Sequence, residues 1–235
     1  MALTPAIEAV DLYRFFHAGE AETLALRGVS LAVHGGEMIA LTGPSGSGKS
    51  TLLGCLAGLD EPDGGHVMLG GERLTRRPET ERARRRASGI GVLLQADNLF
   101  EGLSIADNIR LQMRLARRLD SKRLEILLSR LGLQNRRNSM PRTVSGGEAA
   151  RAGLAVALAA APAVLLADEP TGEVDAETED RLITLLADEC KGGMAALIAT
   201  HSPAVASRAG RVVHIADGTI VAATNGEIGD GAASS

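Results

Sequence analysis

Nine consecutive residues in the first quarter of the chain have the types and spacing of a phosphate-binding loop. They are, in order, Gly43, Pro44, Ser45, Gly46, Ser47, Gly48, Lys49, Ser50 and Thr51. They fit the pattern G-x-x-x-x-G-K-[ST], in which glycines let successive backbone N–H groups converge on an anion. The lysine supplies a cation for the β- and γ-phosphates of a nucleotide, and the serine after it supplies a hydroxyl for Mg²⁺. The sequence therefore predicts a nucleoside triphosphate site around Lys49 and Ser50.

The residues on either side of this loop favour the same prediction. Met38–Thr42 is an apolar, strand-like run, and Thr51–Ala57 opens an apolar helix. A helix N-terminus adds the positive end of its dipole to a bound anion. The alternative is a chance match in a chain with 28 glycines, although the chain has only three lysines and one falls at this position. The order of strand, glycine loop and helix makes a nucleotide site the better interpretation.

Two adjacent acids follow a second buried strand farther along the chain. Val164–Ala167 is wholly apolar and is followed directly by Asp168 and Glu169. Parallel strands present their carboxyl ends at one edge of a sheet, so Asp168 is expected beside the phosphate loop, where it could hold Mg²⁺ directly or through water. Glu169 would point differently and could polarise a water against the γ-phosphate. A strand that ends in two solvated acids is the alternative, and the phosphate loop upstream favours the catalytic interpretation.

A third group of polar residues precedes an alanine-rich helix. Ser145, Gly146, Gly147 and Glu148 are followed by the run Ala149–Ala161. A serine and two glycines at a helix start can bind an anion, but they are also an ordinary way to cap a helix. One nucleotide has no obvious use for two such sites in a single copy of the chain. This second helix N-terminus could cover the γ-phosphate from the other side if it came from a second subunit.

Composition narrows the classes of function. The 235 residues are 45% apolar and carry a net charge of −4, so nothing favours nucleic acid as a partner. Four aromatic residues are too few for a base-stacking surface. Cys55 and Cys190 form no metal-binding or disulfide pattern. The N-terminus has no signal-like segment, and the apolar run Ala152–Ala167 is interrupted by Pro162. We therefore expect a cytoplasmic protein that crosses no membrane itself.

The order of predicted elements indicates an α/β fold with an insertion. Extended stretches at 7–16, 24–33 and 66–69 predict an antiparallel N-terminal sheet. Helices are predicted from Ser104 to Arg118, with a capping-box-like start, and at 121–131. Strand and helix alternation returns at residues 164–199, and a strand pair follows at 211–223. The glycine- and serine-rich tail at 224–235 is expected to be disordered.

These motifs together resemble the ATP-binding cassette (ABC) family of transporter ATPases. The S-G-G-E of Ser145–Glu148 matches the family's signature motif and lies between the two nucleotide motifs in the family's order. The resemblance covers about residues 7 to 223. It implies a P-loop NTPase (RecA-like) core at 7–95 and 161–223, which includes an N-terminal antiparallel β-subdomain. It also implies an inserted helical subdomain at about 96–160, with ATP and Mg²⁺ as cofactors.

The resemblance also assigns roles to three further residues. Gln95 matches the family's glutamine loop, which contacts Mg²⁺ and links to the transport partner. Asp175 matches the aspartate loop, which communicates across a dimer of cassettes. His201 matches the switch histidine that contacts the γ-phosphate. Taken alone, a histidine after a strand is more often structural, so this last role depends on the resemblance.

An aromatic side chain is needed to stack on adenine. Three of the four aromatics lie between Tyr13 and Phe16. Family members with a long polar loop here place the stacking residue just before that loop, which favours Phe16, with Tyr13 as the alternative. At least one of the three is expected to fill the small β-subdomain instead.

Within the family, the chain is similar to the ATPases of lipoprotein-release, macrolide-efflux and cell-division complexes. The cues are His17–Glu20, Ala57–Asp60 and Ala167–Gly172. This resemblance implies a homodimer closed around ATP, an integral membrane permease as partner, and a place on the inner face of the cell membrane. Alternatives are an ABC ATPase driving a non-transport membrane process, a soluble regulatory ABC ATPase, and a guanine-nucleotide switch or small-molecule kinase. The last leaves Ser145–Glu148 and His201 without a role.

Three departures from the family pattern stand out. Val144 replaces a leucine before the signature motif, Ala149–Arg151 replaces a more polar triplet, and Ser202 stands where aspartate is common after the histidine. None removes a catalytic group.

Seven arginines between Arg73 and Arg86 form a basic run, interpreted as a solvated helix face more readily than as a contact for phosphates, acidic lipids or a partner.

Overall fold

The computed structural model describes residues 3–18, 21–172 and 174–225. Within these ranges the chain forms ten strands and seven α-helices. In chain order they are β1 Ile7–Ala18, β2 Ala21–Val33, β3 Met38–Thr42, α1 Lys49–Leu56, β4 Gly64–Leu69, β5 Glu72–Arg73, α2 Glu79–Gly89, β6 Ile90–Leu93, α3 Ile105–Leu115, α4 Ser121–Arg130, α5 Gly146–Leu158, β7 Val164–Asp168, α6 Ala176–Lys191, β8 Ala195–Ala199, α7 Pro203–Arg208, β9 Arg211–Ala216 and β10 Thr219–Asn225.

A six-stranded sheet forms the centre of the fold, in the order β10-β9-β3-β8-β7-β6. β9, β3, β8, β7 and β6 are parallel, and β10 pairs antiparallel at one edge. All residues of β7 and β8 are buried, as expected for parallel strands covered on both faces. The segments that follow β3, β7 and β8 therefore emerge at one edge of the sheet. These segments contain the phosphate loop, Glu169 and His201.

A four-stranded antiparallel sheet, in the order β2-β1-β4-β5, covers one face of this centre. The helix α1 shares an apolar core with both sheets, because Leu52 and Leu56 are fully buried in one cluster with Leu12 of β1 and Leu41 of β3. Burial of each such leucine contributes about 1.5–3 kcal/mol. The small sheet thus supports the helix that begins at Lys49. The predicted α/β class and the antiparallel N-terminal sheet are confirmed.

Three helices, α3, α4 and α5, follow β6 before the next strand. Each begins with a side-chain cap, from Ser104, Asp120 and Ser145 respectively. The predicted capping box at Ser104 is only half formed: its hydroxyl accepts from the Asp107 N–H but donates to the Asp107 carboxylate. Aspartate is one methylene shorter than the glutamate of a full capping box, which reaches the N-cap N–H.

Several predicted boundaries were wrong by a few residues. The helix expected to continue to Arg118 ends at Leu115, since Arg117 adopts a left-handed backbone with φ 56°. The helix expected from Ala149 begins at Gly146, because Ser145 caps it. Strand β10 continues to Asn225, two residues into the predicted tail, and residues 226–235 lie outside the described residues. Gly19, Glu20 and Glu173 lie outside them too.

The arginine-rich helix α2 is tied to its surroundings by ion pairs. Arg82 pairs with Glu61 and Glu79, and Arg85 pairs with Glu72 and Glu81. Much of the basic run is therefore neutralised by neighbouring carboxylates. Arg82 is only 16% exposed and Arg85 only 26%, so this part of the run packs against its neighbours and is not the solvated face that the sequence predicts.

A bidentate ion pair connects helix α4 to helix α6. Arg123 of α4 donates from both terminal nitrogens to Glu189 of α6, at 2.8 Å each, and also to the Leu158 carbonyl. Both side chains are less than 20% exposed. The pair therefore holds the back of α4 against α6.

Candidate nucleotide site

Backbone conformation explains two glycines of the phosphate loop. Gly43 has φ +151°, and a β-carbon there would lie 2.0 Å from the Ile215 carbonyl oxygen. Gly48 has φ +104°, and its β-carbon would lie 2.6 Å from the Ala25 carbonyl oxygen. Real β-carbons do not approach backbone atoms so closely. The loop can therefore adopt this curve only with glycine at both positions.

The turn between β9 and β10 supports the phosphate loop from the side. The Gly218 N–H donates to the Ser47 carbonyl at 3.1 Å, and the Gly218 carbonyl accepts from the Arg27 N–H at 2.8 Å. Sequence reasoning found the turn but not this contact, because the partners are separated by most of the chain. The Ser47 hydroxyl is buried and has no hydrogen-bond partner among the described residues.

Lys49 folds back over the loop that precedes it. Its Nζ donates to the Gly43 carbonyl at 2.8 Å and to the Pro44 carbonyl at 2.9 Å, and the side chain is buried. An ammonium group has three protons to donate. Two are used by the loop, which leaves one and the positive charge for an anion in front of it.

Ser50 and Asp168 meet at the edge of the sheet. The Ser50 hydroxyl donates to Asp168 Oδ2 at 2.6 Å, and Asp168 is buried. A hydroxyl and a carboxylate are the oxygen ligands that Mg²⁺ prefers. Over the described part of the chain, no group of three or more His, Cys, Asp or Glu residues could hold a metal. This donor set fits a magnesium ion that takes its other ligands from phosphates and water.

Glu169 adopts a strained conformation directly after β7. Its backbone is left-handed, with φ 49°, which is uncommon for a residue with a side chain. Its Oε2 accepts from the Thr200 hydroxyl and from the His201 N–H, both at 3.3 Å. Its Oε1 is buried without a hydrogen bond to any described residue, and His201 Nε2 lies 3.7 Å from it. One oxygen is thus held in place while the other is available to a ligand or a water.

A cavity of about 850 Å³ joins these groups. Its lining includes Lys49, Ser50, Gln95, Asp168, Glu169 and His201. Gln95 reaches it from two residues beyond the end of β6. Ser45 and Gly46 of the phosphate loop also line the cavity, as does Gly146 at the start of α5. The volume matches those of small-molecule sites, about 300–1,000 Å³.

The predicted signature residues form a complete capping box at the start of α5. The Ser145 hydroxyl accepts from the Glu148 N–H at 3.2 Å, and the Ser145 N–H donates to Glu148 Oε2 at 3.0 Å. This backbone hydrogen bond and the Arg136 guanidinium hold the pKa of Glu148 below its usual value. Ser145 and Gly146 are exposed, so the helix N-terminus remains accessible. Gly147 is partly buried.

Asp175 caps α6 and does not line the cavity. Its carboxylate accepts from the N–H and the hydroxyl of Thr178, at 2.9 and 3.0 Å. These hydrogen bonds lower the pKa of Asp175. Within one copy of the chain, Asp175 therefore acts as the N-cap of α6, and a contact across a dimer would be an additional role.

The aromatic candidates lie on the small sheet, outside the lining of the cavity. Phe16 is 41% exposed, and the Arg14 guanidinium lies 4.9 Å from the centre of its ring. Tyr13 is 42% exposed, but its ring packs over Gly28 and Gly64. Phe16 thus has the ring that is less engaged with the sheet.

A family model described as ABC transporter matches residues 26–172 of the chain. The lipoprotein-releasing system ATP-binding protein LolD of Acinetobacter baylyi is 39% identical over 217 residues, which cover 90% of this chain and 95% of that protein. LolD 1 of Rhodospirillum rubrum is 41% identical, with 93% and 98% covered. The macrolide export ATP-binding/permease protein MacB of Marinobacter nauticus is 36% identical over 97% of this chain, which spans 36% of that protein.

Solved structures agree with the sequence comparison. A dimer of the ATP-binding cassette MJ0796 in a post-hydrolysis state, bound to ADP and Pi, superposes with a TM-score of 0.89 at 29% identity and covers 93% of this chain and 98% of its own. A second dimeric structure of MJ0796, at 30% identity, gives a TM-score of 0.88 with the same coverage. This chain belongs to the ABC transporter family, as an ATP-binding cassette that hydrolyses ATP.

Proposed function

We propose that this ATPase binds Mg²⁺–ATP between two copies of itself and uses hydrolysis to drive a membrane permease. One observation carries the proposal: Lys49, the Ser50–Asp168 pair, Glu169 and His201 come from distant segments and surround a single cavity. The cation, hydroxyl and carboxylate match groups that P-loop NTPases use in phosphoryl transfer to water. The imidazole adds a group that could contact the γ-phosphate. Their shared cavity has room for a triphosphate.

In this proposal the phosphate loop and Lys49 bind the β- and γ-phosphates. The backbone N–H groups of the loop and the N-terminus of α1 face the anion, and the third Lys49 proton donates to a phosphate oxygen. Ser50, Asp168 and Gln95 would hold Mg²⁺. When bound, the ion would neutralise charge on the phosphates and orient them.

Glu169 would act on the attacking water. Its Oε1 is the buried oxygen without a partner, and a water bonded there would face the γ-phosphate held by Lys49. His201, whose N–H fixes the other oxygen of Glu169, would contact the γ-phosphate through its ring. Both groups follow adjacent strands, β7 and β8, so a rigid sheet sets their separation.

The second copy would complete the site. The capped N-terminus of α5, with Ser145, Gly146, Gly147 and Glu148, would close over the γ-phosphate of the opposite copy, and Asp175 would meet the opposite aspartate loop. Two observations support this: Ser145 and Gly146 are exposed, and the related cassette MJ0796 is a dimer in its ADP- and Pi-bound structure. Adenine would stack on Phe16, with Tyr13 as the alternative.

A groove beside the glutamine loop offers a place for the permease. It has a volume of about 570 Å³ and contains Leu59, Leu94 and Leu115, each more than 40% exposed. Leu94 directly precedes Gln95, so a segment seated in the groove would act directly on the nucleotide site. An apolar permease segment is the proposed occupant.

The permease would hold this subunit at the inner face of the cell membrane. In the described part of the chain, no helix has the length and apolar character needed to span a bilayer. The names of the relatives favour a lipoprotein-release or macrolide-efflux type of complex. No nucleic acid is proposed as a partner, in line with the net charge of −4.

Glu169→Gln tests the mechanism. Removing the base should lower ATP turnover by about 100-fold or more, in line with the usual contribution of a general base. ATP binding should persist, because Lys49 and the loop are unchanged, and the variant should accumulate as an ATP-bound dimer in light scattering after gel filtration.

Glu177→Gln is the matched control, since Glu177 is an exposed carboxylate whose only described ion pair is with Arg181. Its turnover should equal that of the unmodified protein. Unimpaired turnover by Glu169→Gln, or a fully active protein that stays monomeric with ATP, would contradict the proposal.

A further inference from the structure

Glu179 connects two segments of the nucleotide site from behind. It lies in the first turn of α6 and does not line the cavity. Its Oε1 accepts from the Thr171 hydroxyl at 2.9 Å and from the Ser202 hydroxyl at 2.6 Å. Thr171 follows Glu169 by two residues, and Ser202 follows His201 directly. A single carboxylate oxygen thus binds the segment after the proposed base and the segment after the proposed histidine.

The Ser202 hydroxyl uses all of its hydrogen-bonding positions, so its orientation is fixed. The Ser202 hydroxyl donates its one proton to Glu179 and accepts from the N–H groups of Ala204 and Val205 at the start of α7. A hydroxyl has one donor and two acceptor positions, and all three are used. Ser202 cannot rotate without breaking a hydrogen bond.

From Ser202 the hydrogen bonds continue to Glu169. The Ser202 N–H donates to the Thr200 hydroxyl at 3.0 Å, and that hydroxyl donates to Glu169 Oε2 at 3.3 Å. Thr200 is fully buried. The N–H of His201, between them, donates to the same oxygen of Glu169. The chain of contacts leads from Glu179 to the proposed base in three steps.

Thr171 is connected to Glu169 through the backbone of the turn that they share. Thr171 is buried, and the next residue, Gly172, donates its N–H to the Glu169 carbonyl at 3.2 Å. Glu169 itself has a left-handed φ of 49°. Such conformations persist only where the surrounding structure holds them, at a cost of about 1–3 kcal/mol. Thr171 lies within this turn, and its hydroxyl anchors the turn to Glu179.

We propose that Glu179 is a positioning residue for ATP hydrolysis, which fixes Glu169 and His201 relative to each other through Thr171 and Ser202. This rests on the proposed roles of Glu169 and His201. Glu179 does not line the cavity, so it would act on hydrolysis through other residues. Its loss should therefore slow the chemical step and leave ATP binding intact, because the groups that hold the phosphates are on other segments.

Glu179→Ala is the principal test, in the full chain. Its kcat should fall about tenfold, since small misplacements of catalytic groups have effects of this order or more. Its KM for ATP should stay within about twofold, as for a loss confined to the transition state. Glu177→Ala is the matched control: it removes a carboxylate from the same turn, whereas the Thr171 and Ser202 hydroxyls donate to Glu179.

Two further variants separate positioning from a general structural role. Glu179→Gln keeps an oxygen that accepts both hydroxyls, so its kcat should recover to within about threefold of the unmodified protein. Ser202→Ala should lower kcat, and the double variant with Glu179→Ala should be little worse than Glu179→Ala alone, because residues that act through each other are not additive. Melting temperatures are measured for every variant.

The proposal is overturned if Glu179→Ala has the kcat of Glu177→Ala, if KM rises as much as kcat falls, or if the effects of Glu179→Ala and Ser202→Ala multiply. Failure of the proposed function would look different. In that case Glu169→Gln itself would retain turnover. Loss of turnover in Glu169→Gln together with an unaffected Glu179→Ala would reject the positioning role alone.

Discussion

Replacing Gly43 by alanine should destabilise the protein, because the new methyl group has no room. The added β-carbon would lie 2.0 Å from the Ile215 carbonyl oxygen and 3.0 Å from the Ser47 hydroxyl. The carbonyl belongs to β9, so it cannot move aside as a flexible side chain would. Gly46 in the same loop is the matched comparison. It also has a positive φ, +77°, but no atom of the described residues outside its neighbours lies within 4 Å of its would-be β-carbon.

Gly43→Ala and Gly46→Ala should differ in free energy of unfolding by the cost of the steric clash at Gly43. A left-handed backbone costs alanine about 1–2 kcal/mol at either position. At Gly43 the clash adds a further ~1–3 kcal/mol, the usual cost of overpacking. One kcal/mol lowers the melting temperature of a chain of this size by about 2–4 °C. The expected losses are then about 4 °C for Gly46→Ala and about 10 °C for Gly43→Ala.

Thermal unfolding followed by circular dichroism, without nucleotide, measures both losses. Repeating the experiment with ATP reports binding, since a ligand at 100 times its dissociation constant adds about 2.7 kcal/mol to stability. Gly46 lines the cavity, so Gly46→Ala should lose part of this added stability despite its mild effect without ATP. Equal melting temperatures for the two variants without nucleotide would refute the steric reasoning.

Two further predictions concern an ion pair and the lowered pKa of a carboxylate. Arg123→Ala and Glu189→Ala, combined in a double-mutant cycle of urea unfolding, should show a coupling free energy of about 1–3 kcal/mol, because the pair is bidentate and mostly buried; Arg181→Ala, in an exposed pair, should cost less than about 0.5 kcal/mol. The pKa of Glu148 is lower in the folded protein than its usual value of 4.5, so the ionised carboxylate stabilises the fold above pH 4.5. This stabilisation is lost as the pH falls below 4.5 and through the folded pKa, so Glu148→Gln should flatten the decline of melting temperature from pH 5 to 3. A decline as steep as in the unmodified protein would contradict the role of the hydrogen bond from Ser145.

Local patterns in the sequence predict the elements that carry the site. The phosphate loop between a strand and a helix, the acids that end β7, and the cap at Ser145 depend on residues close together in the chain. Continuous apolar runs then predict β3, β7 and β8 as buried strands, and parallel pairing brings their ends together. That is why the nucleotide site and its family could be predicted before the fold was known.

Contacts between distant segments could not be predicted in this way. Glu179 is one of several acids in the first turns of α6, and nothing in its neighbours singles it out. Its partners Thr171 and Ser202 come from either side of α6 and β8 in the chain. The helix α7 was missed for a related reason: it has only six residues, and its start depends on the orientation of the Ser202 hydroxyl. Local pattern contains no information on such pairings.

The hydrogen bond between Gly218 and Ser47 connects the strand pair β9 and β10 to the phosphate loop. β9 and β10 stand at the edge of the sheet, where a truncation or a fused domain would ordinarily be placed. Here the turn that joins them supplies an N–H to the phosphate loop, and β9 supplies the carbonyl that packs against Gly43. A protein engineer who shortens or tethers this end of the domain would therefore alter nucleotide affinity from the far side of the loop.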